Sequence, residues 1–165
     1  FCRFGSTSCI IRLSAPLKEQ FALENGMDFT ELLSSSEYKE SCRSKMILWG
    51  EEKRNENPSI FCELATKDKH DTPVWIVSDA RRKTDILYFR KKYPDVVKTV
   101  RITADMDVRQ SRGFSFVKGV DDAESECGLD DIRDWDFTIT NNGGTDELNS
   151  QLDAIIKFGL DFFHC

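Results

Sequence analysis

Apolar residues in this chain fall into two patterns, short unbroken runs and spaced stripes. The runs lie at 9–13 (CIIRL), 74–77 (VWIV), 99–103 (TVRIT) and 135–140 (WDFTIT), and each reads as a strand. The 74–77 run follows Pro73 and carries no charge, the pattern of a strand buried on both faces. Spaced stripes separate the runs. Ser14 as cap and Pro16 in the first turn open a helix that Gly26 ends. A short helical piece runs through Glu31, Leu32 and Leu33. The longest pattern, 36–55, aligns Tyr38, Cys42, Met46 and Trp49 when turned at about 100° per residue. Pro58 opens another helix, with Ile60, Phe61 and Leu64 inward. A helix over 84–93 buries Ile86, Leu87, Phe89 and Tyr93, and Pro94 breaks it. Thr145 caps a terminal helix whose buried stripe is Leu148, Leu152, Ile155, Ile156 and Phe163, with Asp146 and Glu147 in its first turn. Strands alternating with helices predict a mostly parallel sheet with helices on both faces.

Composition narrows the class. At 165 residues the chain is expected to form a single domain with a real core. A net charge of −6, from 29 acids and 23 bases, argues against non-specific nucleic-acid binding. Six cysteines without a C-x-x-C pair, beside only two histidines, read as free thiols in a reducing compartment rather than a zinc site. No apolar run nears the ~20 residues of a membrane span. There is no signal-peptide pattern, and the end is neither a peroxisomal tripeptide nor a prenylation box. A cytosolic monomer is the expectation.

The chemistry gathers where the 74–77 run ends. Ser78 and Asp79 are followed by Arg81, Arg82 and Lys83. Ligands of open α/β sheets bind outside the carboxyl ends of strands. Asp79 there suits Mg²⁺ or a reacting hydroxyl, and Arg81 and Arg82 suit phosphate oxygens. The plain alternative is a solvated helix start. Cations at a helix N-terminus are, however, unfavourable unless an anion offsets them. On the 36–55 helix, Lys39, Arg43, Gly50 and Arg54 share one face. That face is either a basic groove edge or a solvated surface paired with the nearby glutamates. Residues 105–119 read as a mobile lid bringing Arg109 and Arg112 to a phosphate. The acidic run at 120–131, VDDAESECGLDD, is either a solvated capping helix or a partner for the arginines.

Several strings resemble the animal-type phosphomevalonate kinase family: RLSAPLKEQ at 12–20, YKESCRSKMILWGEEKR at 38–54, WIVSDARRKTDI at 75–86, TVRI at 99–102, RQSRGF at 109–114 and VDDAESECGLD at 120–130. The resemblance covers nearly the whole chain. It implies a three-layer α/β/α, P-loop kinase-like fold similar to the nucleoside monophosphate kinases. It also implies transfer of the ATP γ-phosphoryl to 5-phosphomevalonate with Mg²⁺. By the same resemblance, Arg81 and Arg82 act on the reacting phosphates beside Asp79. Lys18, Lys39, Arg43, Arg54, Arg101 and Asn141 hold the acceptor. Arg109, Arg112, Asn142 and Gln151 approach the nucleotide.

One part of the family pattern is absent from these residues. None of the nine glycines precedes a Lys-Ser or Lys-Thr pair, so no G-x-x-x-x-G-K-[ST] loop is present. Residues 1–5 resemble the tail of the helix that follows such a loop. The expectation is a sheet lacking its first, central strand, between the Trp75 and Arg101 strands, and a chain lacking the main phosphate cradle. The alternative to a kinase is then a non-catalytic phospho-ligand-binding remnant of the family.

Overall fold

A computed structural model describes residues 7–33, 37–69 and 71–163, with side chains for all of these except 39, 40, 162 and 163. The expectations placed on residues 1–5, on Ser36 and on the Phe163 side chain lie outside what is described. The chain divides into two compact units, one up to Ala80 and one from Arg81 onward.

The unit up to Ala80 runs β1 (Ser8–Ile11), α1 (Ser14–Asn25), α2 (Phe29–Leu33), α3 (Glu37–Glu56), α4 (Ile60–Thr66) and β2 (Val74–Val77). β1 and β2 pair in parallel, Ser8 opposite Val74 through Ile11 opposite Val77. Gly26 ends α1 with φ 64°, a left-handed conformation open to glycine at little cost. The Asp28 carboxylate accepts the amides of Thr30 and Glu31 at 2.7 and 3.3 Å, which starts α2. The stripe on α3 faces inward at Cys42 and Met46, packing on Phe21, Ala22 and Leu32. Trp49 lies edge-on to Phe21 at 5.7 Å, and its indole donates to Glu24 at 2.8 Å. Gly50 is buried because a Cβ there would stand 3.1 Å from Leu17 Cδ1. The glycine therefore lets α3 close on α1, rather than leaving a groove open.

Three local expectations are corrected in this unit. Ser14 does not cap α1; the carboxylate of Asp79, just past β2, does, as described below. On α4, Phe61, Cys62 and Thr66 are buried while Leu64 is 36% exposed. Inward positions at 61, 62 and 66 put residue 64 on the opposite side of a 3.6-residue turn. β2 is not buried on both faces: Ile76 is 39% exposed and its register partner Ile10 is 55% exposed. Its only ladder among the described residues is with β1.

The unit from Arg81 runs α5 (Lys83–Lys92), β3 (Val100–Thr103), α6 (Met106–Ser111), α7 (Glu124–Cys127), β4 (Phe137–Thr140) and α8 (Thr145–Phe163). β3 and β4 pair in parallel, Val100 opposite Phe137 through Thr103 opposite Thr140. Phe89, Leu129 and Ile139 are its buried apolar residues. Leu87 is 62% exposed, not buried, because Asp85 and Phe89, four residues apart, set the inner face of α5. Leu148, Leu152, Ile155 and Ile156 of α8 are half-buried, and Phe158 meets Phe137 at 6.0 Å.

Asp136 fastens the start of this second sheet. One carboxylate oxygen accepts the Thr99 amide at 2.8 Å and the Thr99 hydroxyl at 2.7 Å, and Lys98 lies 3.4 Å from the other. Burial pushes the Asp136 carboxyl up, but the Thr99 hydrogen bonds and the Lys98 charge together hold it below the usual carboxylate range. A carboxylate lowered on folding stabilises the fold above its unfolded pKa, and that contribution disappears as pH falls through the folded value. Asp136→Asn should cost about 2 kcal/mol at neutral pH. Urea unfolding should show the deficit constant above about pH 5 and shrinking below about pH 4. Leu32, fully buried at 0% exposure, should cost about 3 kcal/mol on Leu32→Ala, read by the same urea midpoint.

Candidate phosphate-binding site

The densest group of cations lies at the turn that opens α5. Asp85, third residue of the helix, turns its carboxylate back to accept the amides of Arg81 and Arg82, each at 3.1 Å. That is the returning half of a capping box, and it fixes the backbone from which both arginines project. Each cation at this turn then meets a carboxylate of the acidic run. Arg81 pairs with Glu126 at 2.6 Å, Arg82 with Glu124 at 3.1 Å and Lys83 with Asp131 at 2.5 Å. Arg101 of β3 pairs with Asp130 at 2.5 Å, its guanidinium 5.7 Å from the Trp135 ring centre. The Lys83 ammonium holds the Asp131 carboxyl below its ordinary range. Arg82 is the one embedded cation of the four, its side chain 10% exposed against 51% for Arg81, 55% for Lys83 and 33% for Arg101. The acidic run is thus a partner for the arginines rather than a solvated cap. It also supplies the anions that a cationic helix start requires.

Gly128 makes this seating possible. A Cβ there would stand 2.6 Å from the carbonyl oxygen of Glu124 and 3.1 Å from that of Arg81. A side chain there would collide with the run's own backbone at Glu124 and crowd the Arg81 carbonyl, so glycine suits this close approach.

A second group forms at the end of β4. Arg112 donates to the carbonyl oxygens of Asn141 at 2.7 Å and Gly143 at 3.3 Å. The Asn142 side-chain oxygen accepts the Asp105 amide at 2.8 Å. Gln151 of α8 spans the end of β4, accepting from the Thr140 amide and donating to the Thr140 carbonyl, both at 2.9 Å. Arg109 stacks on Phe114, 3.9 Å from the ring centre. The structure therefore gathers Arg112, Asn141, Asn142 and Gln151 around one turn. Gly113 and Gly119, with φ 92° and 84°, bend the 105–119 segment through left-handed backbone.

The candidates of the first unit stand differently. Lys18 is on α1 and Lys39 on α3, where the Lys39 side chain lies outside the described atoms. Arg43 is half-buried on α3, and the Arg54 guanidinium covers the Phe61 ring at 4.5 Å. Asp79 uses both oxygens on backbone: Oδ1 accepts the Leu13 amide at 2.7 Å and Oδ2 the Ser14 amide at 3.0 Å. It caps α1 from 65 residues away. A depression of about 450 Å³ in this unit is bordered by Arg12, Pro16, Glu19 and Lys69 among others, and none of the phosphate candidates lines it. Its walls offer no cluster of cations, so the charge groupings are the better guide to chemistry.

Sequence reading missed Asp85, whose signal was an acid three residues into a helix, and left the acidic run undecided. Among the described residues, no group of three or more His, Cys, Asp or Glu could hold a metal ion. No described helix is long and apolar enough to cross a membrane.

Parallel strand pairs among helices place the chain in the mixed α/β class, in whose open sheets ligands bind outside the carboxyl ends of strands. Comparison with known proteins narrows that class. The model of the phosphomevalonate kinase family matches residues 2–95. The phosphomevalonate kinase of Drosophila melanogaster is 41% identical over 150 residues, which covers 88% of this chain and 79% of that protein. The chain belongs to the phosphomevalonate kinase family, and its members are phosphotransferases.

Removing the remote cap tests the role of Asp79 in the fold. Asp79→Ala should lower stability by about 1–2 kcal/mol, because two amides at the start of α1 lose their acceptor. Thermal melts followed by circular dichroism would read the loss; an unchanged midpoint would mean that water replaces the carboxylate at no cost.

Proposed function

We propose that this chain transfers the γ-phosphoryl group of ATP to (R)-5-phosphomevalonate, giving 5-diphosphomevalonate, in isoprenoid and sterol synthesis. The observation that carries the reading is Arg82, a guanidinium nearly out of solvent at the helix start, flanked by Arg81 and Lys83. Donor and acceptor are both anions, so the protein's task is to position them and neutralise charge. Arg81 and Arg82 lie across the reacting phosphates. For the acceptor the candidates are Arg101 and Asn141, and by resemblance Lys18, Lys39, Arg43 and Arg54. Each fork onto a phosphate is worth about 1.5–3 kcal/mol.

Arg112, Asn142 and Gln151, gathered at the end of β4, attend the nucleotide, and Arg109 acts with them from the 105–119 lid. Mg²⁺ neutralises phosphate charge when bound. A small hard ion of this kind would be carried mainly on the nucleotide's own phosphates and waters, since the described residues offer no group of three or more metal-ligating side chains. Asp79 orients the end of β2, and its engaged oxygens favour that positioning role over direct metal ligation. For the finer fold we favour a P-loop kinase-like sheet. In support, the described strands pair in parallel, β1 with β2 and β3 with β4. Cys9, Cys42, Cys62 and Cys127 are free thiols, which suits a reducing cytosol.

The test is ADP release in a coupled assay, with calorimetry in parallel. ADP should appear only when 5-phosphomevalonate is present. Arg82→Ala should weaken binding of that ester by about ten- to a hundredfold. An unchanged affinity would remove Arg82 from the site, and ester binding without turnover would favour a non-catalytic binder.

A further inference from the structure

The four cations at the α5 turn and on β3 are already occupied, each by a carboxylate from one short stretch of chain. We propose that the 124–131 stretch serves as a resident anion. Glu124, Glu126, Asp130 and Asp131 hold the positions that phosphate oxygens take on Arg82, Arg81, Arg101 and Lys83, and they leave when a phosphorylated ligand enters. This rests on the reading of those cations as phosphate ligands, and adds a displacement step to it.

Three features carry the idea. First, each of the four cations meets a different carboxylate of this one stretch, at 2.5–3.1 Å, which a scattered surface charge run does not produce. Second, burial is lopsided where it matters most: the Arg82 side chain is 10% exposed while its partner Glu124 is 72% exposed. The cation is fixed in the protein and the anion lies over it from outside, so the carboxylate is the partner free to move. Third, the stretch runs close over the turn, since a Cβ on Gly128 would stand only 3.1 Å from the Arg81 carbonyl oxygen. α7 itself spans only Glu124–Cys127 and buries none of its residues, while Leu129 is buried and stays in place as the anchor about which the carboxylates on either side swing aside.

The energetics favour an exchange. Solvent-exposed carboxylate–cation pairs are weak and screened by salt. A phosphate carries more charge and more acceptors, and matches the guanidinium fork at two points. The resident carboxylates keep the cations compensated in the empty protein while remaining weak enough to be displaced. They also raise the threshold for small anions, since a ligand must replace several carboxylates at once.

The full chain tests this with 5-phosphomevalonate as probe. Calorimetry of Glu124→Gln/Glu126→Gln, and separately of Asp130→Asn/Asp131→Asn, should show binding about three- to tenfold tighter than wild type at low salt. The difference should shrink at high salt. Hydrogen exchange on the unmodified chain needs no variant: amides at 124–131 should lose protection when the ester saturates the protein. Equal or weaker binding in the neutralised variants would overturn the proposal, because the carboxylates would then be orienting the cations permanently. Unchanged or increased protection on binding would overturn it as well. Arg82→Ala separates the two levels. If it leaves ester binding intact, the site reading falls. If it weakens binding but the neutralised variants do not tighten it, only the displacement step falls.

Discussion

Four-residue strands cannot secure their own ends. Each strand of this protein is that short, and among the described residues each pairs with one neighbour only. The ladders therefore end almost as soon as they begin, and backbone amides at the junctions need other acceptors. Side chains distant in sequence supply them. Asp79 takes the amides where β1 passes into α1. Asp136 takes the amide before β3, and Gln151 takes the amide and carbonyl at the end of β4. Asp85 does the same locally at the α5 turn. A hydrogen bond to a charged group is worth more than one ladder bond, and an unmet buried amide costs as much again. The acidic excess of the chain thus has a structural use beyond solubility.

The same carboxylate chemistry explains how so cationic a turn is compensated within the protein. Arginines and a lysine at the start of a helix oppose its dipole and repel each other. Asp85 holds the backbone while Glu124, Glu126 and Asp131 meet the charges. A phosphotransferase needs such a concentration of cations before its substrates arrive, because preorganised charge need not be assembled during the reaction. Here the protein brings its own anions to the place. The 105–119 segment shows the same economy at the other phosphate candidate, with Arg112 resting on carbonyl oxygens of the Asn141–Gly143 turn.

Much of the fold could be read from the chain. The parallel α/β class, the four strands, the α3 stripe through Cys42 and Met46 and the glycine stop at Gly26 all follow from periodicity and turn chemistry. Burial was harder. Val74 to Val77 looks like a fully covered strand because its apolar run is unbroken, but how far a strand is covered depends on which neighbours pair and pack with it, and sequence does not state that. Leu64 and Leu87 have the right chemistry for a core and point outward, since a helix turns as one body once its strongest contacts are made. At the candidate site, the cations of the α5 turn, the arginines of the 105–119 segment and the Asn141–Gln151 region were all visible as residues. What was not visible was their state: the face carrying Gly50 read equally as a groove edge or a solvated surface, and Gly50 is buried against Leu17, while Asp79 suited Mg²⁺ or a reacting hydroxyl and meets two amides.

Sequence by itself therefore determined the class of fold, the chemistry on offer and the family, because period, turn residues and long matching strings are local properties. Tertiary structure alone decided which acid meets which base. Glu126 and Arg81 lie 45 residues apart, and Asp79 lies 66 residues from the amide of Leu13. Charge–charge contact falls off within a few ångströms in water, so its outcome depends on how the chain returns on itself rather than on the order of its residues.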